Sequence, residues 1–392
     1  MQVLWLTSWY PNPYEPTNGD FIKRQAEAVS KIVLVDVIHV VQAGIELHTK
    51  AGAIHEREGN LREIIQSFPF KKWGIDLIDK IRYNIKYHIF IRNLINSYAA
   101  EFGRPQLIHV HIPVKAGLHA LYFADLWGIK YLVTEHASHY TKNSHDSFFN
   151  RSNFYKRNVF KVMKDASTVV SVSNAVGSVL KQLFPIKNYQ TIRNTVDITL
   201  FNYKPVNNKI FRWIHVSSMH NYQKNIYGII NAFTELNKQH TDWELIMVGP
   251  CKEEQKQKVV EAGLADKIIF IGEVDYKEVA EQMQQANAFV LFSRHENFPC
   301  VIEEALCCGL PVVTSNAGGI AEAINETNGL LVDIENTQAL TIAMLSLMNH
   351  YADYNRAAIA KAAIALYNKE TIAQQIVELY KQIVELYKEV IN

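Results

Sequence analysis

From its second residue onward the chain alternates short apolar runs with longer stretches of helical periodicity, and this rhythm restricts the folds open to it. A strand buried on both faces reads as a continuous apolar run, and a helix laid over it reads as apolar positions three and four apart. Repeated in turn, the two describe a parallel sheet covered by helices on both faces. In the first half, Val3 to Thr7, Val33 to Val40, Leu107 to Ile112, Tyr131 to Thr134, Thr168 to Val172 and Gln190 to Arg193 predict strands. Phe21 to Lys31, Ile75 to Glu101, Val114 to Trp127 and Ala175 to Leu183 predict helices between them. The second half repeats the scheme, with strands at Phe211 to Val216, Leu245 to Val248, Ile268 to Ile271, Ala288 to Phe292 and Pro311 to Thr314. The polar, proline-containing stretch NYKPVNNK at 202–209 separates the two series. At 392 residues the chain is about twice the usual domain size. The expectation is an α/β protein of two doubly wound Rossmann-like domains, 1–203 and 204–370, facing across a cleft. A C-terminal helix at 371–392 follows.

That tail duplicates a heptad, QIVELYK at 375–381 and again at 382–388. Ile376, Leu379, Tyr380, Ile383, Leu386 and Tyr387 form one apolar stripe, and two heptads are too few for a coiled coil, so the helix is expected to pack on the body of the protein. Net charge is +1, which removes long-range attraction to nucleic acid as a governing feature. Cys251, Cys300, Cys307 and Cys308 have neither zinc-site nor disulfide-framework spacing, and a reducing cytosol fits them. The opening MQVLWLTSWYPNPYEP reads as a first strand and not a signal peptide. No apolar stretch approaches the ~20 residues of a membrane-spanning helix. The expected location is cytoplasmic, or peripheral at the inner face of the membrane.

Ligands of doubly wound sheets bind beyond the carboxyl ends of the strands, so the loops there are where chemistry is sought. The most informative is SRHENFPCVIEEALCCGLPVV at 293–313. A strand ends at Ser293, a loop carries Glu296, and a helix begins near Pro299 with Glu304 in its second turn. Proline at a helix start and an acid before it both suit the positive end of the macrodipole. Backbone N–H groups of Phe298, Cys300 and Val301 beside a carboxylate are able to grip sugar hydroxyls and phosphate oxygens. Taken alone, the two glutamates read as a loop acid and a solvated helix acid. Their surroundings change this. Glu296, Phe298, Pro299, Glu304, Ala305, Gly309, Pro311 and Val312 together resemble the E-x7-E signature of the GT-B retaining glycosyltransferases of family 4. The resemblance implies that Glu296 sits by the donor sugar, that the loop through Asn297, Phe298, Pro299, Cys300 and Val301 contacts the donor, and that Glu304 binds the ribose hydroxyls.

Three other segments extend it. In WIHVSSMHNYQKNIYGIINAF, Lys224 stands where a loop gives way to a helix, positioned to meet the charge of a diphosphate leaving group. The family carries an arginine a few residues earlier; here that position holds Ser218, or Met219 with the gap placed differently, and His220 or Asn221 offers at most a neutral hydrogen bond. In TEHASHY, His136 follows a carboxyl strand end, where the resemblance implies a contact with the donor sugar; His109, His111 and His139 are lesser candidates. In PTNGDFIKRQAEAV, Gly19 lets backbone approach a ligand at a helix start, and Asp20 reads also as a capping group. SVSNAVGSVL, IRNTVDITLF and SNAGGIAEAI match too: Gly318 and Gly319 are expected to shape the donor pocket with Glu322 opening the next helix, while Asn194 and Asp197 read as turn and capping residues.

The match is weakest over 43–105. Between Asn60 and Ala100 seven Lys or Arg face three Asp or Glu, interleaved with Phe68, Phe70, Trp73, Tyr83, Tyr87 and Phe90; between Arg151 and Lys164 five basic residues face no acid. A solvated helix face is one explanation, and an acceptor surface for anionic lipid headgroups or a lipid-linked diphosphate is the other. No D-x-D occurs in the chain, and the His-Val-His at 109–111 has no convergent carboxylate, so neither metal nor other cofactor is expected. The resulting expectation is a retaining, metal-independent hexosyltransferase with His136, Lys224 and Glu296 as catalytic residues. Its donor is a UDP- or GDP-sugar, its acceptor a glycan or lipid-linked molecule of cell-surface polysaccharide synthesis. Rival readings are a non-catalytic nucleotide-sugar-binding scaffold and another enzyme of the same fold, such as an epimerase.

Overall fold

The computed structural model describes residues 1–42, 53–136, 139–140 and 147–391. They form two compact units. The first comprises Met1–Val172, Gly177–Arg193 and Ile372–Asn392, the second Ser173–Val176 and Asn194–Thr371.

In the first unit the chain runs β1 (Gln2–Thr7), α1 (Asp20–Ser30), β2 (Leu34–Gln42), β3 (Ala53–Glu58), β4 (Leu61–Phe68), α2 (Asp76–Phe102), β5 (Leu107–His111), α3 (Ala116–Trp127), β6 (Lys130–Glu135), α4 (Asn153–Asp165), β7 (Val169–Ser171), α5 (Asn174–Leu183) and β8 (Tyr189–Thr191). The strands order as β3-β4-β2-β1-β5-β6-β7-β8, parallel throughout except for the β3–β4 hairpin. Val3, Leu4, Trp5 and Leu6 of β1 are all buried, as a central strand covered on both faces must be. The hairpin is absent from the strands expected from sequence. Its edge strand reads AIHERE, too charged to register as a run, and charge on an edge strand guards it against pairing with another chain. A two-residue turn closes it, with Gly59 at φ 57°.

The second unit runs β9 (Phe211–Val216), α6 (Asn221–Lys224), α7 (Ile226–Asn237), β10 (Trp243–Val248), α8 (Glu253–Glu261), β11 (Ile268–Gly272), α9 (Tyr276–Gln285), β12 (Ala288–Leu291), α10 (Cys300–Cys307), β13 (Val312–Ser315), β14 (Gly329–Val332), α11 (Thr337–Asn349) and α12 (Arg356–Tyr367). Its sheet is wholly parallel, ordered β11-β10-β9-β12-β13-β14. Counted within the unit this is 3-2-1-4-5-6, the Rossmann order, whose direction reverses between β9 and β12 and opens a crevice beyond their carboxyl ends.

The division between units falls at Arg193–Asn194, earlier than the expected boundary at 203–204. The reason is packing: Val196 donates to Tyr367 O at 2.8 Å, and Phe201 is buried with its ring 4.7 Å from that of Tyr276. The last helix, α13 (Lys369–Ile391), begins in the second unit, and from Ile372 onward it belongs to the first. Ile376, Leu379, Tyr380 and Ile383 join the core of that unit, whereas Leu386, the next position of the heptad stripe, is exposed. Tyr380 hydroxyl meets His109 Nδ1 at 2.6 Å. Among the described residues no helix is long and apolar enough to cross a membrane.

Candidate functional site

Two loops of the second unit leave neighbouring strand ends at its topological switch. After β9, Ser217 Oγ accepts the Met219 N–H at 3.0 Å and contacts His215 Nε2 at 2.7 Å. Gly249 lets this turn close, because a Cβ there would lie 1.9 Å from Ser217 O. Met219 has φ 56° and its side chain is buried in the core, so it faces inward and Ser218 faces out. The position of the family's arginine thus carries no cation in this chain. Asn221 Oδ1 is taken by the Tyr227 N–H. Lys224 ends the single turn of α6, and Asn225, at φ 52°, caps α7 by accepting from Gly228.

The loop after β12 fastens to this turn. The Arg294 guanidinium donates to Asn221 O (2.7 Å), Tyr222 O (3.2 Å), Asn225 Oδ1 (2.8 Å) and Glu335 Oε1 (2.5 Å). Backbone and side chain add to it: Arg294 N donates to Gln223 O, and Gln223 Nε2 to His295 O. Held in this way, Lys224 Nζ reaches Glu296 Oε1 at 2.5 Å, with the two side chains only 12% and 6% exposed. Burial pushes the His215 imidazole beneath them down to about 4, helped by the Lys224 charge, so it is neutral near pH 7.

Downstream of Glu296, Gly319 N donates to Asn297 O at 2.7 Å, and Asn297 Oδ1 accepts from Ser173 Oγ at 2.7 Å. Gly318 sits at φ 62°, and a Cβ there would come within 2.0 Å of Glu296 O. The two glycines therefore shape the Glu296–Asn297 loop by close approach, and Glu322 does not start an α-helix of its own. It ends a 3-10 turn, and its carboxylate accepts from the backbone of Asn174 and Ala175, capping α5. Phe298 is buried, Pro299 is the N-cap of α10 with no side chain capping that helix, and Cys300 and Val301 form its half-buried first turn. Glu304, one turn further in, is buried and accepts from Tyr276 hydroxyl at 2.7 Å.

In the first unit, His136 directly follows β6 and is buried. Its Nε2 lies 3.1 Å from His111 Nδ1, and the Phe21 ring lies 4.8 Å from its own. Burial pushes His136 down to about 3 and His111 well below its ordinary value, so the pair is neutral and shares one N–H···N hydrogen bond. His109 is locked between Tyr380 and Thr134, a structural arrangement. The His139 ring packs on that of Tyr140, with centroids 4.4 Å apart. Gly19, at φ 71°, is the N-cap of α1, where a Cβ would lie 2.8 Å from the Trp9 carbonyl carbon. Asp20 is therefore not the cap; it is the first helical residue and pairs with Arg24. Among the described residues no three His, Cys, Asp or Glu side chains converge as a metal-binding group. Arg294, Tyr276 and Ser173 escaped the sequence reading. Their roles depend on partners far along the chain; Arg294 and Ser173 lie within the segments 293–313 and 171–180 that carry the resemblance, whereas Tyr276 lies in none of them.

Two Rossmann-like units on one chain, the second with an acid-bearing loop and helix at its switch point, define a glycosyltransferase of the GT-B class. Comparison with known proteins agrees. The profile described as Glycosyltransferase Family 4 matches residues 37–200, and that of Glycosyl transferases group 1 matches residues 204–365. The chain belongs to this glycosyltransferase family. TuaC of Bacillus subtilis, a glycosyltransferase assigned to teichuronic acid biosynthesis, is 22% identical over 88% of each chain. The structure of sucrose-phosphate synthase from Thermosynechococcus elongatus superimposes with a TM-score of 0.80 at 21% identity, covering 98% of this chain and all of that one. HepE of Anabaena, solved with UDP-glucose, superimposes with a TM-score of 0.70 at 18% identity over 97% of this chain and all of that one.

Proposed function

We propose that the protein is a retaining hexosyltransferase that takes its sugar from a UDP- or GDP-sugar and delivers it to a glycan or lipid-linked acceptor of cell-surface polysaccharide synthesis, at the inner face of a membrane. The observation that carries this reading is the nearly buried Lys224–Glu296 pair at the switch point, on the loop that leads into the helix carrying the buried Glu304. The complex of HepE with UDP-glucose and the assignment of TuaC to teichuronic acid biosynthesis support the substrate classes.

In this reading Glu304 accepts hydrogen bonds from the ribose hydroxyls, and the Asn297 to Val301 segment holds the sugar and the nearer phosphate. As the anomeric C–O bond breaks, its electron pair passes to the nucleoside diphosphate. Lys224 has three N–H donors, of which Glu296 takes one, leaving two for the phosphate oxygens on which charge grows. The acceptor oxygen bonds to the anomeric carbon, and its proton leaves with the diphosphate. Glu296 orients Lys224 and faces the sugar, while His136, neutral at its depth, contacts the sugar as a hydrogen-bonding group and not as a cation. Gly19 and the outward Ser218 complete the donor contacts. Retention rests on family membership, and no carboxylate is named as a covalent nucleophile.

The proposed chemistry needs no metal, because Lys224 and the start of α10 offset the diphosphate charge. The test is release of free nucleoside diphosphate from UDP- and GDP-hexoses, with lipid-linked and soluble acceptors, in EDTA. Acceptor-dependent release that persists in EDTA is expected. Activity lost in EDTA and restored by Mg²⁺ or Mn²⁺ overturns the metal-independent part. Nucleotide binding without release under any condition favours the scaffold reading, which the uncharged Ser218 position suggests.

A further inference from the structure

Helix α2 buries Tyr87, Ile91, Ile95 and Tyr98, yet a second set of large apolar side chains faces outward. Ile78, Ile81, Ile85 and Ile89 are 41% to 55% exposed, and Leu77 is 71% exposed. At 100° per residue they fall in one stripe about 120° wide, which adjoins the buried set at its Leu77 edge and is centred about 100° round the helix from it. Trp73, just before the helix, is 68% exposed and is held in position. The Asp79 carboxylate accepts the N–H groups of Trp73 and Gly74, each at 2.9 Å, and Arg82 bridges that carboxylate to the indole face at 3.2 Å. A contiguous exposed apolar face of this kind marks an interaction surface.

Charge identifies the occupant. Lys80 and Lys86 flank the stripe on opposite sides, Lys71 and Lys72 precede the tryptophan, and Arg92 closes the far end; all five are exposed, and between Lys71 and Arg92 Asp76 is the one exposed acid. A second copy laid on this face would set lysine against lysine. A surface that is apolar within and anionic at its border matches both parts at once. The same sheet edge offers a further anchor: β4 and β6 run parallel, so α2 and α4 both start beyond carboxyl strand ends. At the start of α4, Phe154 is 72% exposed among the exposed Arg151 and Arg157. His136 leaves this edge too.

We propose that Trp73 and the isoleucine stripe of α2 dock the first unit on an anionic phospholipid bilayer, the stripe lying in the interface and the flanking lysines at the headgroup phosphates. The inference rests on the reading of this unit as the acceptor side of a transferase that serves a membrane-borne acceptor. Docking would set the carboxyl edge of the sheet at the depth of a lipid-linked substrate.

The experiment is sedimentation of the full chain with vesicles of phosphatidylcholine alone or with a third phosphatidylglycerol, alongside the melting shift given by UDP or GDP. Wild type should partition at least tenfold better onto the anionic vesicles, with the preference weakened by added salt. The combined change Ile81→Asp and Ile85→Asp should abolish binding, and Lys72→Glu with Lys80→Glu should reduce it tenfold or more. These positions are exposed, and circular dichroism and light scattering verify that each variant folds and keeps its oligomeric state. Absence of binding to anionic vesicles, or binding indifferent to both variants, overturns the docking surface. So does dissociation of a wild-type dimer by the isoleucine changes, which assigns the stripe to a second copy. A chain that shows a nucleotide-dependent shift but no vesicle binding leaves the donor reading intact; vesicle binding without any nucleotide shift overturns the donor reading alone.

Discussion

At the scale of single residues, the Lys224–Glu296 pair serves two ends, and they are separable by experiment. Removing one partner of a nearly buried ion pair strands the other charge, so Lys224→Ala should cost about 3 kcal/mol of stability. It should also lower turnover by a factor of about 100 to 1000, the loss typical of one preorganised charge-stabilising donor. Adding Glu296→Gln should recover much of the melting temperature and none of the turnover. Glu304 should fail differently, since the ribose hydroxyls do not change charge during transfer. Glu304→Gln keeps an acceptor for Tyr276 and should raise the donor Michaelis constant tenfold or more at nearly unchanged turnover. Steady-state kinetics at saturating donor check both; near-wild-type turnover for Lys224→Ala would reduce it to a structural lysine.

At the scale of elements, the loop between β12 and α10 is shaped from outside by the glycines after β13. Gly318→Ala meets both a φ of 62° and a Cβ only 2.0 Å from Glu296 O, so the Glu296–Asn297 loop must shift. Donor or nucleotide affinity should fall at least tenfold, and stability should fall by more than the ~1 kcal/mol of left-handed strain alone. Gly263→Ala provides the control: φ is 69° there with nothing within 4 Å of a new Cβ. It should cost that strain and leave affinity untouched. Equal affinities for the two variants, measured by calorimetric titration, would show that the glycine pair does not set the loop. The same scale shows what element reading missed. The β3–β4 hairpin leaves no run of apolar residues in its charged outer strand, while α2 and α3 lie within a residue or two of their expected bounds and α10 starts one residue from its expected beginning.

At the scale of the molecule, buried neutral histidines make stability depend on pH. Burial lowers His39 to about 4, His119 and His136 to about 3, and His109 and His111 well below the ordinary 6.5, all in the first unit; in the second, His215 drops to about 4. As pH falls below 6.5 the unfolded chain takes up protons that the folded chain does not. Each such histidine then removes about 1.4 kcal/mol per pH unit until its folded value is reached. The melting temperature should therefore be flat with respect to these groups above pH 7 and fall steeply from 6.5 to 5. A profile level across that window would contradict their burial. Shortening the chain after Thr371 should be harsher still, because it strips Ile376, Leu379, Tyr380 and Ile383 from the first unit's core at about 1.5 to 3 kcal/mol each, comparable in sum with the stability of a whole domain. Native-like near-ultraviolet dichroism and cooperative melting in the shortened chain would show that the helix is dispensable.

The alternation of buried runs with helical periods determined the α/β class, the two-sheet plan and most strand positions, because burial on two faces or on one stripe leaves a local signature. The same holds for Glu296 and Glu304, which one strand-loop-helix segment carries at fixed spacing. Tertiary structure alone decided the contacts between distant segments. Lys224 reaches Glu296 across 72 positions, and Tyr380 reaches His109 across 271, so that the last helix completes the first unit's core. Arg294 could be seen in the sequence, but its hold on the α6 turn could not, and Met219 turned inward where sequence left it level with Ser218. Periodicity states which side of an element is buried. It does not state against what, since the order of strands in a parallel sheet is set by crossovers and packing between segments that share no local pattern.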